Sequence, residues 1–102
     1  MKFDNPTEEK SKYIISFQCK NREDQYEHLF IDDGANIHFV VGIRFATMMD
    51  YLKDAIEVLK GYSISINKNI PAHLQNKPVI VEVYKRWVFD EDFIVNYKEE
   101  IK

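Results

Sequence analysis

The strongest constraint on the fold is a change in hydrophobic period after Gly42. Ahead of it, apolar and polar residues alternate in three stretches, at 12–20, 26–32 and 36–41, and this alternation is typical of half-buried strands. Beyond it, apolar residues recur every three or four positions, which predicts one long helix over residues 43–60. Strands that are followed by a helix packing on them indicate an α+β fold.

The rest of the chain predicts two more strands and a second helix. Residues 62–67 alternate again, and residues 79–89 form the clearest strand of the sequence. Asp90 has the character of a helix N-cap. Phe89 and Ile94 have the spacing of a hydrophobic staple, so a short C-terminal helix is expected after the strand.

The predicted element order is therefore β-β-β-α-β-β-α. It predicts an antiparallel sheet of four or five strands, with one long helix packed on one face. Asp33-Gly34 predicts a hairpin turn because glycine accepts a positive φ, and Gly61 is a candidate for the residue that ends the long helix. The second sheet face would be only partly covered, so the C-terminal helix or a partner must cover the rest.

Length and composition indicate one domain. The 102 residues, 45% of them hydrophobic, are enough for a single core. We expect a polar N-terminal tail at 1–11 and a single α+β domain at 12–102. Cys19 is the only cysteine, which excludes an internal disulfide. The chain shows neither an apolar signal-peptide core nor an apolar run of about 18 residues, so we expect a cytoplasmic protein without a membrane span.

The residues that could carry catalysis are few. Cys19 could meet His28 or His38, because all three lie on consecutive predicted strands. Cys19, however, alternates with apolar residues, and a cysteine in that position is usually a small hydrophobic residue of the core. The spacings of cysteine, histidine and acidic residues match no metal motif. We therefore expect no catalytic residues, no metal and no cofactor, and a protein that is not an enzyme.

A basic and aromatic cluster in the 79–89 strand raises the question of nucleic acid. Tyr84, Arg86 and Trp87 combine stacking surface with charge, as single-strand binders do. Acidic residues surround them, with Glu82 before and the run 90–92 after. The net charge of −3 adds no basic field, so a nucleic-acid partner is disfavoured.

The same cluster predicts a protein-binding site. Tyr, Arg and Trp are enriched in interface hot spots, and a strand at a sheet edge offers backbone groups to a partner. We expect Tyr84, Arg86 and Trp87 to act as anchors, with Asp90 and Glu91 at the rim. In this hypothesis the protein is a small modulator or inhibitor that occludes another protein.

Two other functions stay open. The same edge could join two copies of the chain in a self-associating structural domain, or the protein could be an unrecognised small enzyme or ligand-binding domain that uses Cys19, His28 and His38. In size and composition the chain is similar to small inhibitor or accessory proteins, anti-defence proteins among them, that phages and mobile elements of AT-rich bacteria carry. No motif carries this likeness, and it assigns no family.

Overall fold

The computed structural model of the protein describes residues 12–85 and 93–100. Its elements are β1 (Lys12–Cys19), β2 (Arg22–Ile31), β3 (Ile37–Val40), a 3-10 turn (Ile43–Phe45), α1 (Leu52–Gly61), α2 (Ser63–Asn69), β4 (Val79–Lys85) and β5 (Phe93–Glu100). The strands form one antiparallel five-stranded sheet in the order β3-β2-β1-β4-β5. The predicted α+β class and antiparallel sheet are confirmed.

The central strand β1 is covered on both sides. Ile14, Ile15, Ser16 and Phe17 are all fully buried although successive residues of a strand point to opposite faces. On one face, which we call the helical face, strand residues pack against α1, α2 and the loop after them. The buried residues of this core are Ile15, Phe17, Leu29 and Ile80 on the sheet and Ala55, Leu59, Ile66 and Leu74 on the helices and the loop.

The second face, which we call the opposite face, has its own smaller core. Ile14, Val81 and Val83 are buried there against Ala46. Ile43, Met48 and Val79 pack around them. The cover expected from a C-terminal helix or a partner thus comes in part from the chain that follows β3.

Residues 46–49, which we call the insert, lie between two strands of the sheet. Pairing between β1 and β2 reaches as far as Ser16 opposite His28. Past that point, Thr47 N donates to Leu29 O at 3.0 Å. Met49 and Tyr13 exchange both backbone hydrogen bonds, at 2.8 and 2.9 Å. The insert therefore continues the ladder where β1 and β2 separate.

The prediction of one helix over 43–60 is wrong in its first half. Only α1, from Leu52 to Gly61, is α-helical there, after the 3-10 turn at Ile43–Phe45. The backbone groups of Thr47 and Met49 are bonded to neighbouring strands and so cannot also form the i→i−4 bonds of a helix. The apolar residues have helical spacing, but the backbone amides of Thr47 and Met49 bond to strand carbonyls of the sheet instead, so no helix forms there.

The strand predicted at 62–67 is wrong as well. Residues Ser63–Asn69 form α2, with Ile66 N bonded to Tyr62 O and Ile70 N bonded to Ile66 O, each at 2.8 Å. Gly61 does not end the helical path in a left-handed conformation, since no described glycine has a positive φ. Ile66 is buried while Ile64 is 70% exposed, which fits a helix and not a strand that buries alternate residues.

The short C-terminal helix is also replaced by a strand. Residues Phe93–Glu100 form β5, which pairs antiparallel with β4, so that Val83 lies opposite Val95. The proposed N-cap Asp90 and staple residue Phe89 lie outside the described residues. So do residues 86–89 of the predicted 79–89 strand, whose described part is Val79–Lys85.

The predicted hairpin at Asp33-Gly34 is present, but the reason for it is different. Asp32 N donates to Asn36 O at 3.0 Å, and Asp32 Oδ1 accepts hydrogen bonds from the amides of Gly34 and Asn36, each at 2.9 Å. The positive φ of the turn, 66°, belongs to Ala35 and not to Gly34. An alanine therefore occupies a conformation that glycine adopts at less cost.

Replacing this alanine by glycine should stabilise the protein. Ala35→Gly is expected to raise the free energy of unfolding by about 0.5–1 kcal/mol, because it removes the Cβ clash of the left-handed region. Urea denaturation measures the change. Ala72→Gly is the matched control, since Ala72 is an exposed turn residue without a positive φ, and it should lower the stability slightly. Equal effects of the two changes would contradict the role given to the φ of Ala35.

Candidate partner-binding surface

The residues that the sequence predicts as partner anchors lie at the limit of the described chain. Tyr84 belongs to β4, where its backbone lies opposite Ile94. Arg86, Trp87, Asp90 and Glu91 are outside the described residues. The site they were predicted to form stays a prediction.

One premise of that prediction is corrected. The strand that carries Tyr84 was expected to be a possible sheet edge, but β4 pairs with β1 on one side and with β5 on the other. In the described sheet the edge strands are β3 and β5. The backbone of β4 is therefore engaged within the sheet, and a partner strand would have to add to β3 or β5.

Cys19, His28 and His38 are not brought together. Cys19 packs at the helical face, beside the core of that side. His28 is buried on the opposite face, where its Nδ1 lies 2.6 Å from Ser16 Oγ. His38 is exposed, and its Nε2 lies 2.8 Å from Asp32 Oδ2. The three residues that could have formed a nucleophile–base set thus have separate surroundings.

Two of the histidines bind acidic residues that hold loops. The hydrogen bond from His38, with those from the Asn36 and Gly34 amides, lowers the pKa of Asp32 to about 2. His73 Nε2 lies 2.7 Å from Glu27 Oε2 and so joins the loop before β4 to β2. Within residues 12–85 and 93–100, no three or more histidine, cysteine or acidic side chains group in a way that could hold a metal ion.

The candidate surface is apolar and lies just after the edge strand β3. Val41 is 75% exposed and Phe45 is 63% exposed, and we call these two side chains the Val41–Phe45 surface. Between them, Ile43 packs on the opposite face, and the next residue, Ala46, is buried there. The chain is therefore anchored to the sheet by some side chains while it presents Val41 and Phe45 to solvent.

A hydrogen bond and a ring contact join Gly42 and Phe45 in this turn. Phe45 N donates to Gly42 O at 3.0 Å. A Cβ at Gly42 would lie 2.9 Å from Phe45 Cδ2, so the phenyl ring rests against the glycine backbone. The lack of a side chain at Gly42 thus leaves room for the ring, most of whose surface is exposed.

Among the side chains whose exposure is described, the other large apolar ones that are exposed, Ile64 and Tyr51, lie on other segments of the chain. Ile64 lies on α2 between the exposed serines Ser63 and Ser65. Tyr51 precedes α1, and Lys53 Nζ lies 5.8 Å from the centroid of its ring. Isolated residues of this kind are normal on protein surfaces.

The sequence did not indicate the Val41–Phe45 surface. Val41 ended an alternating stretch and Phe45 began the apolar stripe of a predicted helix, so both were expected to face the core. Their exposure follows from the position of the insert, which no local pattern encodes.

Comparison of the chain with models of known protein families, with curated proteins and with solved structures finds no match. The helices described here include none with the length and apolar character needed to cross a bilayer.

Proposed function

We propose that this protein acts by binding another protein, as a modulator or inhibitor that occludes the partner's surface. The observation that carries the proposal is the exposure of Val41 and Phe45, two large apolar side chains four positions apart in one turn. Exposed apolar surface is a feature of many protein interaction sites. Burying them on a partner would remove this apolar surface from water.

The geometry of the turn favours binding. The contact of Phe45 with Gly42 and the anchoring of Ala46 restrict the conformations of the segment before any partner arrives. A surface that is already ordered loses less conformational entropy on association, which leaves more of the contact energy as affinity. The edge strand β3 lies directly before the turn, so a partner segment could pair with its backbone while contacting Val41.

The anchors predicted from sequence remain a second part of the proposal. In this part Tyr84, Arg86 and Trp87 are anchors and Asp90 and Glu91 form the rim, in addition to the Val41–Phe45 surface or in its place. In the accessory role that size and composition suggest, the partner would be a protein of the host cell. A second copy of the chain is the alternative partner.

Affinity capture from the native host, followed by measurement of the captured partner's affinity, tests the proposal. The double variant Val41→Ser/Phe45→Ser should bind the partner at least about tenfold more weakly, because truncating interface anchors typically costs more than 1 kcal/mol each. Ile64→Ser is the matched control: it removes an apolar side chain of similar exposure from α2 and should leave the affinity unchanged.

The remaining arms separate the alternatives. Unchanged affinity in the folded double variant, together with a loss in Trp87→Ala or Arg86→Glu, would move the site to the sequence-predicted anchors. Sedimentation of the purified protein identifies a second copy as partner if a concentration-dependent dimer appears. Native affinity in all of these variants would contradict the proposal.

A further inference from the structure

A buried serine and a buried histidine lie at the point where β1 and β2 separate. Ser16 and His28 are opposite each other in the last register pair before the insert. Ser16 is fully buried and His28 is 6% exposed, and Ser16 Oγ lies 2.6 Å from His28 Nδ1. The next residue of β2, Leu29, is bonded to Thr47 of the insert. The pair therefore lies immediately beside the place where the insert enters the sheet.

Ala46 and Met48 of the insert cover the same sheet face as this pair, while Met49 packs on the helical face. Val79, the register partner of Ser16, packs in the core of the opposite face together with Ala46 and Met48. Apart from this packing, hydrogen bonds hold the insert to both strands. Thr47 N donates to Leu29 O, and Thr47 Oγ1 accepts from Ile31 N at 2.7 Å, while Met49 exchanges two backbone hydrogen bonds with Tyr13 of β1. Movement of the insert would thus hydrate the face on which His28 lies.

Burial makes the neutral imidazole the favoured form. Removal from water lowers the pKa of His28, and the negative charge of Glu27 opposes this only in part. The hydroxyl of Ser16 either donates to or accepts from Nδ1, so the hydrogen bond survives protonation. The cost of protonation is therefore the burial of a positive charge.

The described surroundings offer the charged form little compensation. On the same sheet face the nearest ionisable groups by register are Tyr26 on β2 and His38 on β3, and His38 is engaged with Asp32. Glu27 lies two positions before Leu29 on β2, so its side chain points to the helical face, as that of Leu29 does. In the segment between β3 and α1, Arg44 and Asp50 are the charged residues, and both are exposed. Asp50 forms an ion pair with Lys12, which lies on the same face of β1 as Ser16.

We propose that protonation of His28 releases the insert from between β1 and β2. His28 and the insert then form an acid-triggered latch. The closed state binds the proton more weakly than an open, hydrated state does. The latch is therefore fully closed when the pH is above the ordinary histidine pKa of about 6.5, and it opens as the pH falls below that pKa. Because Val41 and Phe45 directly precede the insert, opening would also alter the proposed binding surface; this last link rests on the proposed function, and the latch does not.

Amide hydrogen exchange tests the latch in the protein alone. Protection factors, which correct for the pH dependence of the exchange chemistry, are measured for Thr47 and Met49 between about pH 7 and 5. With one proton taken up on opening, they should fall by up to about tenfold per pH unit below about 6.5. The amide of Ile66, bonded within the helical layer, is the internal reference and should keep its protection.

Two variants identify the titrating group. His28→Asn keeps a polar group near the Nδ1 position without a titration, and it should make the protection of Thr47 independent of pH. His38→Asn, the exposed-histidine control, should show the same fall as the native protein.

Should His28→Asn not fold, the His28 ring resonances of the native protein must titrate over the range in which Thr47 loses protection. Constant protection in the native protein, an unchanged fall in His28→Asn, or ring titration without loss of protection would each overturn the latch. None of these measurements involves a partner, so failure of the proposed function is scored separately.

Discussion

Phe17→Ala is expected to lower the free energy of unfolding by about 3–5 kcal/mol. The side chain is fully buried in the core of the helical face, where its ring meets that of Phe39 edge to face, with centroids 5.4 Å apart. Truncation removes the apolar surface from the core, leaves a cavity and deletes the aromatic contact. The free energy of unfolding of such domains is only about 5–15 kcal/mol, so this one substitution would remove a large part of it. Urea denaturation monitored by circular dichroism measures the loss.

Phe45→Ala is the matched control for Phe17→Ala. It deletes the same atoms from a side chain that is mostly exposed, so the stability should change by no more than about 0.5 kcal/mol. Similar losses in the two variants would contradict the assignment of Phe17 to the core and Phe45 to the surface. If its stability is unchanged, the Phe45→Ala variant can also be used in the binding measurements.

Ile14→Ala should lower the free energy of unfolding by about 2–5 kcal/mol. Ile14 lies on the opposite face, where the sequence predicts only partial cover, yet it is fully buried against Ala46, Val81 and Val83. The expected cost is that of a core residue and not that of a solvated sheet face. Equilibrium unfolding in urea is again the measurement.

The control for Ile14→Ala is Ile64→Ala. Ile64 is 70% exposed on α2, and alanine is the better helix former, so its stability should be unchanged or slightly higher. A loss below about 1 kcal/mol for Ile14→Ala would show that the segment after β3 does not close the opposite face. That result would also weaken the latch, because the insert is part of the same cover.

The two proposals assign different tasks to one stretch of chain. Val41 and Phe45 face outward and are proposed to contact a partner, while the insert at 46–49 faces inward and completes the sheet. His28 lies beside the insert. A binding segment whose support depends on a buried histidine would lose its ordered form in acid, and the hydrogen-exchange and affinity measurements report on these two steps independently.

Much of the sheet could be predicted from local pattern. The alternation at 12–20 predicts β1, and its inward residues Ile15 and Phe17 are in the predicted core. Alternation works here because side-chain direction in a strand depends on the residue's own position alone. The stretches at 26–32 and 36–41 succeed for the same reason, with the ends of the strands displaced by one to four residues.

Short segments could not be assigned in this way. Residues 62–67 alternate, but Tyr62, Ile66 and Ile70 also fall four positions apart, and the helix that uses this second spacing is the one formed. Residues Phe93–Glu100 likewise fit an amphipathic helix and a strand, and pairing with β4 decides in favour of the strand. Windows of six to eight residues contain both periods, so contacts with the rest of the chain select between them.

The candidate surface was beyond the reach of sequence patterns. The change of period after Gly42 was real, and by itself the sequence determined that strands precede this point and that a helix follows it, because both periods are properties of neighbouring residues. Only the tertiary structure decided that the helix begins at Leu52 and that 46–49 joins the sheet. The physical reason is that a backbone amide bonds equally well to its own turn or to a neighbouring strand, and the gap between β1 and β2 supplies the strand.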